Sequence, residues 1–285
     1  MPKIIGFCNQ KGGTGKTTSV VNLATFFALA KKKTLLIDLD PQGNATSGLG
    51  IDKEGLELTT YQVLIQEVPA EKAILLTNVR YLYIIPADSS LAGAEIELAQ
   101  LEEREFYLKK ALERIKENFE YILIDAPPSL GLLTINILTA SQGLIIPIQC
   151  EYYALEGLSR LLQTIDLVKE RLNPDLEIEG VLLTMADFRT RLTFQVMEEV
   201  KRFFQDKVYK TVIPRNVRLS EAPSFGKPIY FYEPLSSGAK AYFNLACEIL
   251  NQDIEGVYDG EEGIRQGTGC FNPQEGDSSS RIYLH

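Results

Sequence analysis

The segment QKGGTGKTT, residues 10 to 18, stands between a short apolar run, Ile4-Ile5-Gly6-Phe7-Cys8, and a helix-period stretch. A strand, a glycine-rich turn and a helix in that order constrain the fold more than any other feature. Such a turn aims backbone N–H groups into a concavity, and the helix dipole adds positive potential. Gly12, Gly13 and Gly15 let the chain wrap an oxyanion closely. The ordinary phosphate loop reads Gly, four residues, then Gly-Lys-Ser/Thr. Here Gly15-Lys16-Thr17 fits the end of that pattern, with Thr14 before it. Gln10 stands at the first position, and Lys11 is a second lysine that phosphate holding does not require. The spacing predicts that Lys16 reaches the β- and γ-phosphates of a nucleotide and that the Thr17 hydroxyl binds Mg²⁺. Thr18 opens the helix beside the α-phosphate.

Apolar runs of strand length alternate with longer helical patterns. Strands are expected at 3–8, 34–39, 81–85, 120–125, 144–149, 178–184 and 209–213. Helices are expected at 16–31, 92–101, 103–118, 154–172, 193–205 and 237–250. The runs are rich in Ile, Leu and Val on both parities, as in strands covered on both faces. The order predicts an α/β fold: a mainly parallel twisted sheet with helices on both faces. Ligands of such sheets sit at the carboxyl ends of the strands, where this loop falls. One domain is expected over 1–250. The tail, 251–285, is acidic and rich in Gly and Ser, and is expected to be disordered.

Acidic residues end two of the apolar runs. In LLIDLDPQGNAT, residues 35 to 46, Asp38 and Asp40 flank Leu39, and strand alternation would point both to one face beside the phosphates. One would sit near the magnesium and the other near the attacking water, or both would be solvated acids ending a strand. In YILIDAPPSLG, residues 121 to 131, Asp125 ends an apolar strand, the usual position of an Mg²⁺-water partner. Pro127-Pro128-Ser129 would stiffen a loop able to sense a γ-phosphate.

Composition removes several alternatives. The cysteines, at 8, 150, 247 and 270, form no C-x-x-C pair, which argues against a zinc site or disulfide framework and fits a reducing cytosol. The only histidine is His285, so histidine base chemistry is not expected. Residues 126–150 carry no charge, but Pro127, Pro128, Gly131, Gly143 and Pro147 interrupt them; they read as a buried loop, helix and strand rather than a membrane span. Net charge is −9. Residues 251–285 contribute −5 (seven acids, two bases), while 186–232 carry +4 (nine bases, five acids). That second segment is where a local basic patch would lie.

The stretches KGGTGKTT, DLDPQGNATSGLG, AGAEIEL, DAPPSLGLLTINILTA, PIQCEYYALEGL and VIPRNVRLSEAPSFGKPI resemble the ParA/Soj family of chromosome- and plasmid-partitioning ATPases. The resemblance runs from about Lys3 to Leu250. It implies a P-loop NTPase fold with a deviant Walker A loop, with ATP and Mg²⁺ bound. It implies a homodimer that forms around ATP, with Lys11 reaching the partner's nucleotide, and Asp40 as the water-orienting residue. It further implies slow ATP hydrolysis stimulated by a ParB-type protein, and non-specific binding of double-stranded DNA by the dimer, hence a cytoplasmic, nucleoid-associated protein. The matching DNA-contact positions are Arg189 and Arg218, with Arg191, Lys201, Lys207, Arg215 and Lys227 as helpers. Pro214 and Asn216 would line the base pocket, and Glu151 and Tyr153 would border the dimer face. Relatives often have Val where Thr14 stands.

A Min-type membrane-associated ATPase of division-site placement is the principal alternative, but it needs a basic amphipathic C-terminal helix, and this tail is acidic and aperiodic. A nitrogenase-type reductase needs cluster-bridging cysteines, and none closely follows Asp125. A tyrosine kinase of this group needs a C-terminal tyrosine cluster, and the tail holds only Tyr258 and Tyr283.

Overall fold

The computed structural model describes residues 2–65, 68–152 and 158–257. In chain order the elements are β1 (Lys3–Phe7), α1 (Lys16–Leu29), β2 (Thr34–Asp38), α2 (Asn44–Gly48), α3 (Thr60–Ile65), β3 (Leu75–Leu76), β4 (Leu82–Ile85), α4 (Leu91–Leu98) and α5 (Tyr107–Leu112). They continue with β5 (Tyr121–Asp125), α6 (Leu132–Ala140), β6 (Gly143–Gln149), α7 (Leu158–Arg171), β7 (Glu177–Thr184), α8 (Arg191–Phe204), α9 (Val217–Glu221), α10 (Ile229–Tyr232) and α11 (Ser237–Leu250).

The seven strands form one sheet in the order β3-β4-β2-β5-β1-β6-β7. Every pairing is parallel except that of the two-residue edge strand β3 with β4. Side chains alternate across the sheet into two apolar layers. Ile4, Leu35, Ile37, Ile122 and Ile124 face one layer, which α6 joins through Leu133 and Ile137. Ile5, Phe7, Leu36 and Leu123 face the other, against Phe26 and Phe27 of α1 and Tyr242 of α11. Burial on both faces explains why the strands read as continuous rather than alternating apolar runs.

Several expected elements differ. Residues 209–213 are not a strand. They run beside β7 through single bridges at Val208 and Pro214. The Glu248 carboxylate of α11 accepts the Lys210 and Thr211 amides, at 2.7 and 3.0 Å, so those groups are unavailable to a ladder. The helix expected over 103–118 shrinks to α5, and Glu103, at its expected start, adopts a left-handed backbone, φ 51°, that a helix does not accept. Residues 154–157 of the next expected helix lie outside the described residues, as does Tyr153. The body also continues past Asn251: Ile254 and Val257 are buried in the second layer, and the Tyr230 hydroxyl meets the Val257 carbonyl at 3.3 Å. The expected tail from residue 258 onward lies outside the described residues. Among them, no helix is long and apolar enough to cross a membrane.

Gly180 in β7 gives room to the ring of Tyr209, which a Cβ at that position would overlap. Gly180→Ala should therefore lower stability by about 1–3 kcal/mol, the usual cost of overpacking. A urea midpoint equal to that of the native chain would show that the ring relocates freely.

Candidate functional site

β1 is an interior strand of the sheet, between β5 and β6, and the chain leaves it directly into the glycine-rich loop. Gly13 and Gly15 have φ of 72° and 86°, which a side chain would strain. Gly15 caps α1 without a side-chain hydrogen bond, and no acidic residue occupies the first turn. The first-turn amides are therefore open to an anion. Gly12 and Gly13 are exposed at the loop's crest.

The loop is braced from below. Asn9 donates to the Pro147 carbonyl at 2.8 Å and accepts the Lys11 amide at 3.0 Å. The Thr184 hydroxyl, at the end of β7, donates to the Thr14 carbonyl at 2.8 Å. Thr14 itself is buried, and its hydroxyl donates to the Lys11 carbonyl at 3.5 Å, so it braces the loop through side chain and backbone alike. Asn9 and Thr184 were not among the residues expected from sequence. Their one sequence signal is position: each lies just beyond or at the carboxyl end of a strand. Met185, which follows Thr184, holds a left-handed φ of 52° and lines the adjoining cavity. Such strain persists where surrounding packing enforces it, often at functional sites.

Lys16 is buried, with its ammonium 3.3 Å from the Lys11 carbonyl. Burial lowers its pKa, and the nearby Asp125 charge opposes that shift. Lys11 behaves differently. Its side chain is half-buried and forms no ion pair among the described residues. Cys8, behind the loop, has its thiol pushed up to about 12 by burial and is inert as a nucleophile.

Asp38 and Asp125 are register neighbours at the ends of β2 and β5, and both are fully buried. Their hydrogen bonding separates them. Asp38 Oδ2 accepts the Thr46 amide and hydroxyl at 2.8 and 2.7 Å, and Oδ1 accepts the Asp40 amide at 3.2 Å. Burial raises its pKa to about 6 despite those donors. Neither Asp125 oxygen reaches a partner at hydrogen-bonding geometry among the described residues, although the Thr17 hydroxyl is close enough to favour its charged form. Burial, then the neighbouring Asp38 charge, drive the Asp125 pKa well above the usual carboxylate range. A buried carboxylate with unmet acceptors, beside a threonine hydroxyl and a lysine, fits a hydrated cation. No group of three or more His, Cys, Asp or Glu side chains comes together as a metal cage among the described residues. A cation here would draw its other ligands from phosphate and water, the usual habit of Mg²⁺.

Asp40 lies beyond the end of β2, so it is placed by a turn rather than by the pleat. Its carboxylate accepts the Gln42 amide at 3.0 Å, and its carbonyl accepts the Gly43 amide at 2.8 Å. It is 6% exposed.

A cavity of about 520 Å³ opens beside α1. Thr17 and Thr18 line it, together with Asn44 and Ser47 of α2 and with Pro214 and Asn216. The structure thus brings the expected base-pocket residues to the same cavity as the loop. Asn216 is fixed there: it accepts the Arg218 amide at 2.8 Å and donates to Ser237 at 2.7 Å. Asn22, unforeseen from sequence, also lines the cavity and accepts the Ile229 amide at 2.8 Å.

The two arginines expected to contact DNA are on the surface and locally paired. Arg189 makes a bidentate contact with Asp187, at 2.8 and 2.7 Å. Arg218 meets Glu221 at 2.8 Å, and Glu221 also accepts the Tyr232 hydroxyl at 3.0 Å. Glu151 pairs with Arg215 at 2.9 Å, linking the segment after β6 to a residue that lines the cavity.

Comparison with known proteins agrees with this geometry. Residues 2–178 match the family described as an AAA domain. The chain is 61% identical over 249 residues to the sporulation initiation inhibitor protein Soj of Bacillus subtilis, covering 87% of this chain and 98% of that one. It is 52% identical over 251 residues to the chromosome partitioning protein ParA of Myxococcus xanthus, covering 88% and 89% respectively. The crystal structure of cobyrinic acid a,c-diamide synthase from Mycobacterium smegmatis with bound ADP and magnesium matches with a TM-score of 0.78 and 36% identity, over 88% of this chain and 95% of that one. The seven-stranded, mostly parallel sheet with its helices is that of a P-loop NTPase. Sequence and architecture together place this chain in the Soj/ParA family of chromosome-partitioning ATPases.

Proposed function

We propose that this chain is an ATP-dependent dimerising switch. Two copies close face to face on two ATP molecules, the dimer binds double-stranded DNA without sequence preference, and hydrolysis stimulated by a ParB-type protein releases it. Lys16 and the first-turn amides of α1 hold the triphosphate, with Gly12, Gly13, Thr14 and Gly15 shaping the cradle. Thr17 and Asp125, with Asp38 beside them in register, would hold a hydrated Mg²⁺, which when bound would supply charge to offset the phosphates. Asp40 orients the attacking water. Pro214 and Asn216 flank the base.

One observation carries this reading: the two lysines of the loop occupy different environments. Lys16 is buried behind the cradle, while the Lys11 side chain is half-buried and makes no ion pair among the described residues. A cation so placed stabilises the charge of a transferring phosphoryl group in a facing copy, as an arginine finger does. The test is DNA binding by the native chain and by Lys11→Ala in ADP, ATP and a non-hydrolysable analogue. The native chain should bind in ATP and the analogue only, and Lys11→Ala should bind in none. Equal binding in ADP and ATP would overturn the proposal.

Arg189 and Arg218 serve the DNA surface. Both guanidiniums are exposed and their carboxylate partners partly so, which leaves the pairs open to salt screening, and a phosphate competes for each guanidinium. Two arginines per subunit give about four phosphate contacts per dimer, hence a slope of roughly −3.6 in log K against log salt. Removing one arginine should flatten that slope to roughly half. A slope near zero for the native dimer would exclude phosphate contacts as the source of binding.

A further inference from the structure

Thr46 joins three elements through one hydroxyl. Its Oγ1 accepts the Ala87 amide at 3.0 Å and donates to Asp38 Oδ2 at 2.7 Å. Its own amide donates to the same oxygen at 2.8 Å. Asp38 Oδ1 in turn accepts the Asp40 amide at 3.2 Å. A continuous hydrogen-bonded chain therefore runs from the segment after β4, through α2 and the end of β2, to the backbone of Asp40. Thr46 and Asp38 are fully buried. The Thr60 hydroxyl of α3 pins the same corner, donating to the carbonyls of Asp38 and Pro86 at 2.7 and 3.0 Å.

We propose that Thr46 is a positioning residue for Asp40, acting through Asp38, and that it governs the hydrolytic step rather than nucleotide binding. This rests on the ATPase reading above. Among the described residues the carboxylate of Asp40 meets one donor, the nearby Gln42 amide, so its placement follows its own backbone. That backbone is anchored by the Asp38 contact, and Asp38 is oriented by Thr46. Misplacing a reacting group by about 1 Å costs about 10²-fold in rate. Thr46 itself does not line the cavity, whereas its neighbours Asn44, Ser47 and Gly48 do. Its hydroxyl therefore bears on turnover more than on affinity.

The experiment measures steady-state ATP turnover, with DNA and a ParB-type partner present and well below each variant's melting temperature. Thr46→Val keeps the shape and removes the hydroxyl. It should lower kcat about 10- to 100-fold, while KM changes less than about 3-fold. Thr46→Ser, which keeps the hydroxyl, should restore most of kcat. In an Asp40→Ala background, Thr46→Val should add little further loss, because residues acting as one unit are non-additive. Should Thr46→Val fail to fold, Thr46→Cys, a weaker donor, should give an intermediate kcat. Three results would overturn the proposal: unchanged kcat with only a lower melting temperature, equal loss in Thr46→Ser and Thr46→Val, or a full additional loss on top of Asp40→Ala. Absence of turnover in the native chain would instead remove the ATPase reading, and this inference with it.

Discussion

Lys16→Ala should lose ATP affinity by about 2–5 kcal/mol, roughly 30-fold to several thousand-fold, while the chain stays folded. The reason lies in where the charge sits. Lys16 is 6% exposed, and among the described residues the one direct hydrogen bond of its ammonium is to a backbone carbonyl, at 3.3 Å. Burial lowers its pKa, so without a ligand the charge is held at a free-energy cost. Deleting it removes that cost, and the apo chain should melt at or slightly above the native temperature. With a triphosphate present, the same charge meets dense negative charge in a desolvated cradle, where the interaction is strong. Affinity therefore falls without a matching fall in stability. Calorimetric titration with ATP, paired with thermal melting, reads both quantities. Unchanged affinity would show that the backbone amides of the loop hold the phosphates alone.

Asp40→Ala should behave oppositely: ATP is retained and turnover falls by about 10²- to 10³-fold. That range is what positioned general-base or water-orienting groups contribute. Asp40 does not line the cavity, and its loss leaves the cradle and the Thr17–Asp125 corner in place. Removing its carboxylate frees the Gln42 amide, which is near the surface and finds water. The variant should thus fold normally and accumulate in its ATP-bound form. Phosphate release measured beside nucleotide binding separates the two effects. Turnover at the native rate would move the water-orienting role elsewhere.

Much of this was legible in the chain itself because the chemistry is local. A glycine loop between a strand and a helix specifies its own conformation, and Gly13 and Gly15 take the left-handed backbone that their identity allows. Six of the seven expected strands appear, since strands buried on both faces announce themselves as Ile, Leu and Val runs. What was not legible depends on partners distant in sequence. The 209–213 segment has strand composition, yet Glu248, on the last helix, captures two of its amides. Alternation suggested that Asp38 and Asp40 share one face of a strand. The strand ends at Asp38, and each carboxylate is placed by its own donors, Thr46 for one and Gln42 for the other. The orphaned state of Asp125 follows from register against Asp38 and from proximity to Thr17, neither of which one sequence reveals. Asn9, Asn22 and Thr184 brace the site through backbone carbonyls and amides, contacts that leave no residue-type pattern to recognise.

The account stands on dimer closure around ATP, and light scattering of Asp40→Ala tests it without interference from hydrolysis. In ATP and Mg²⁺ the molecular mass should be twice the 31.9 kDa of one chain, and in ADP it should return to that of one chain. The double variant Lys11→Ala, Asp40→Ala should remain at the single-chain mass in both nucleotides. One mass in ADP and ATP alike for Asp40→Ala, under conditions where calorimetry shows ATP bound, would contradict the switch.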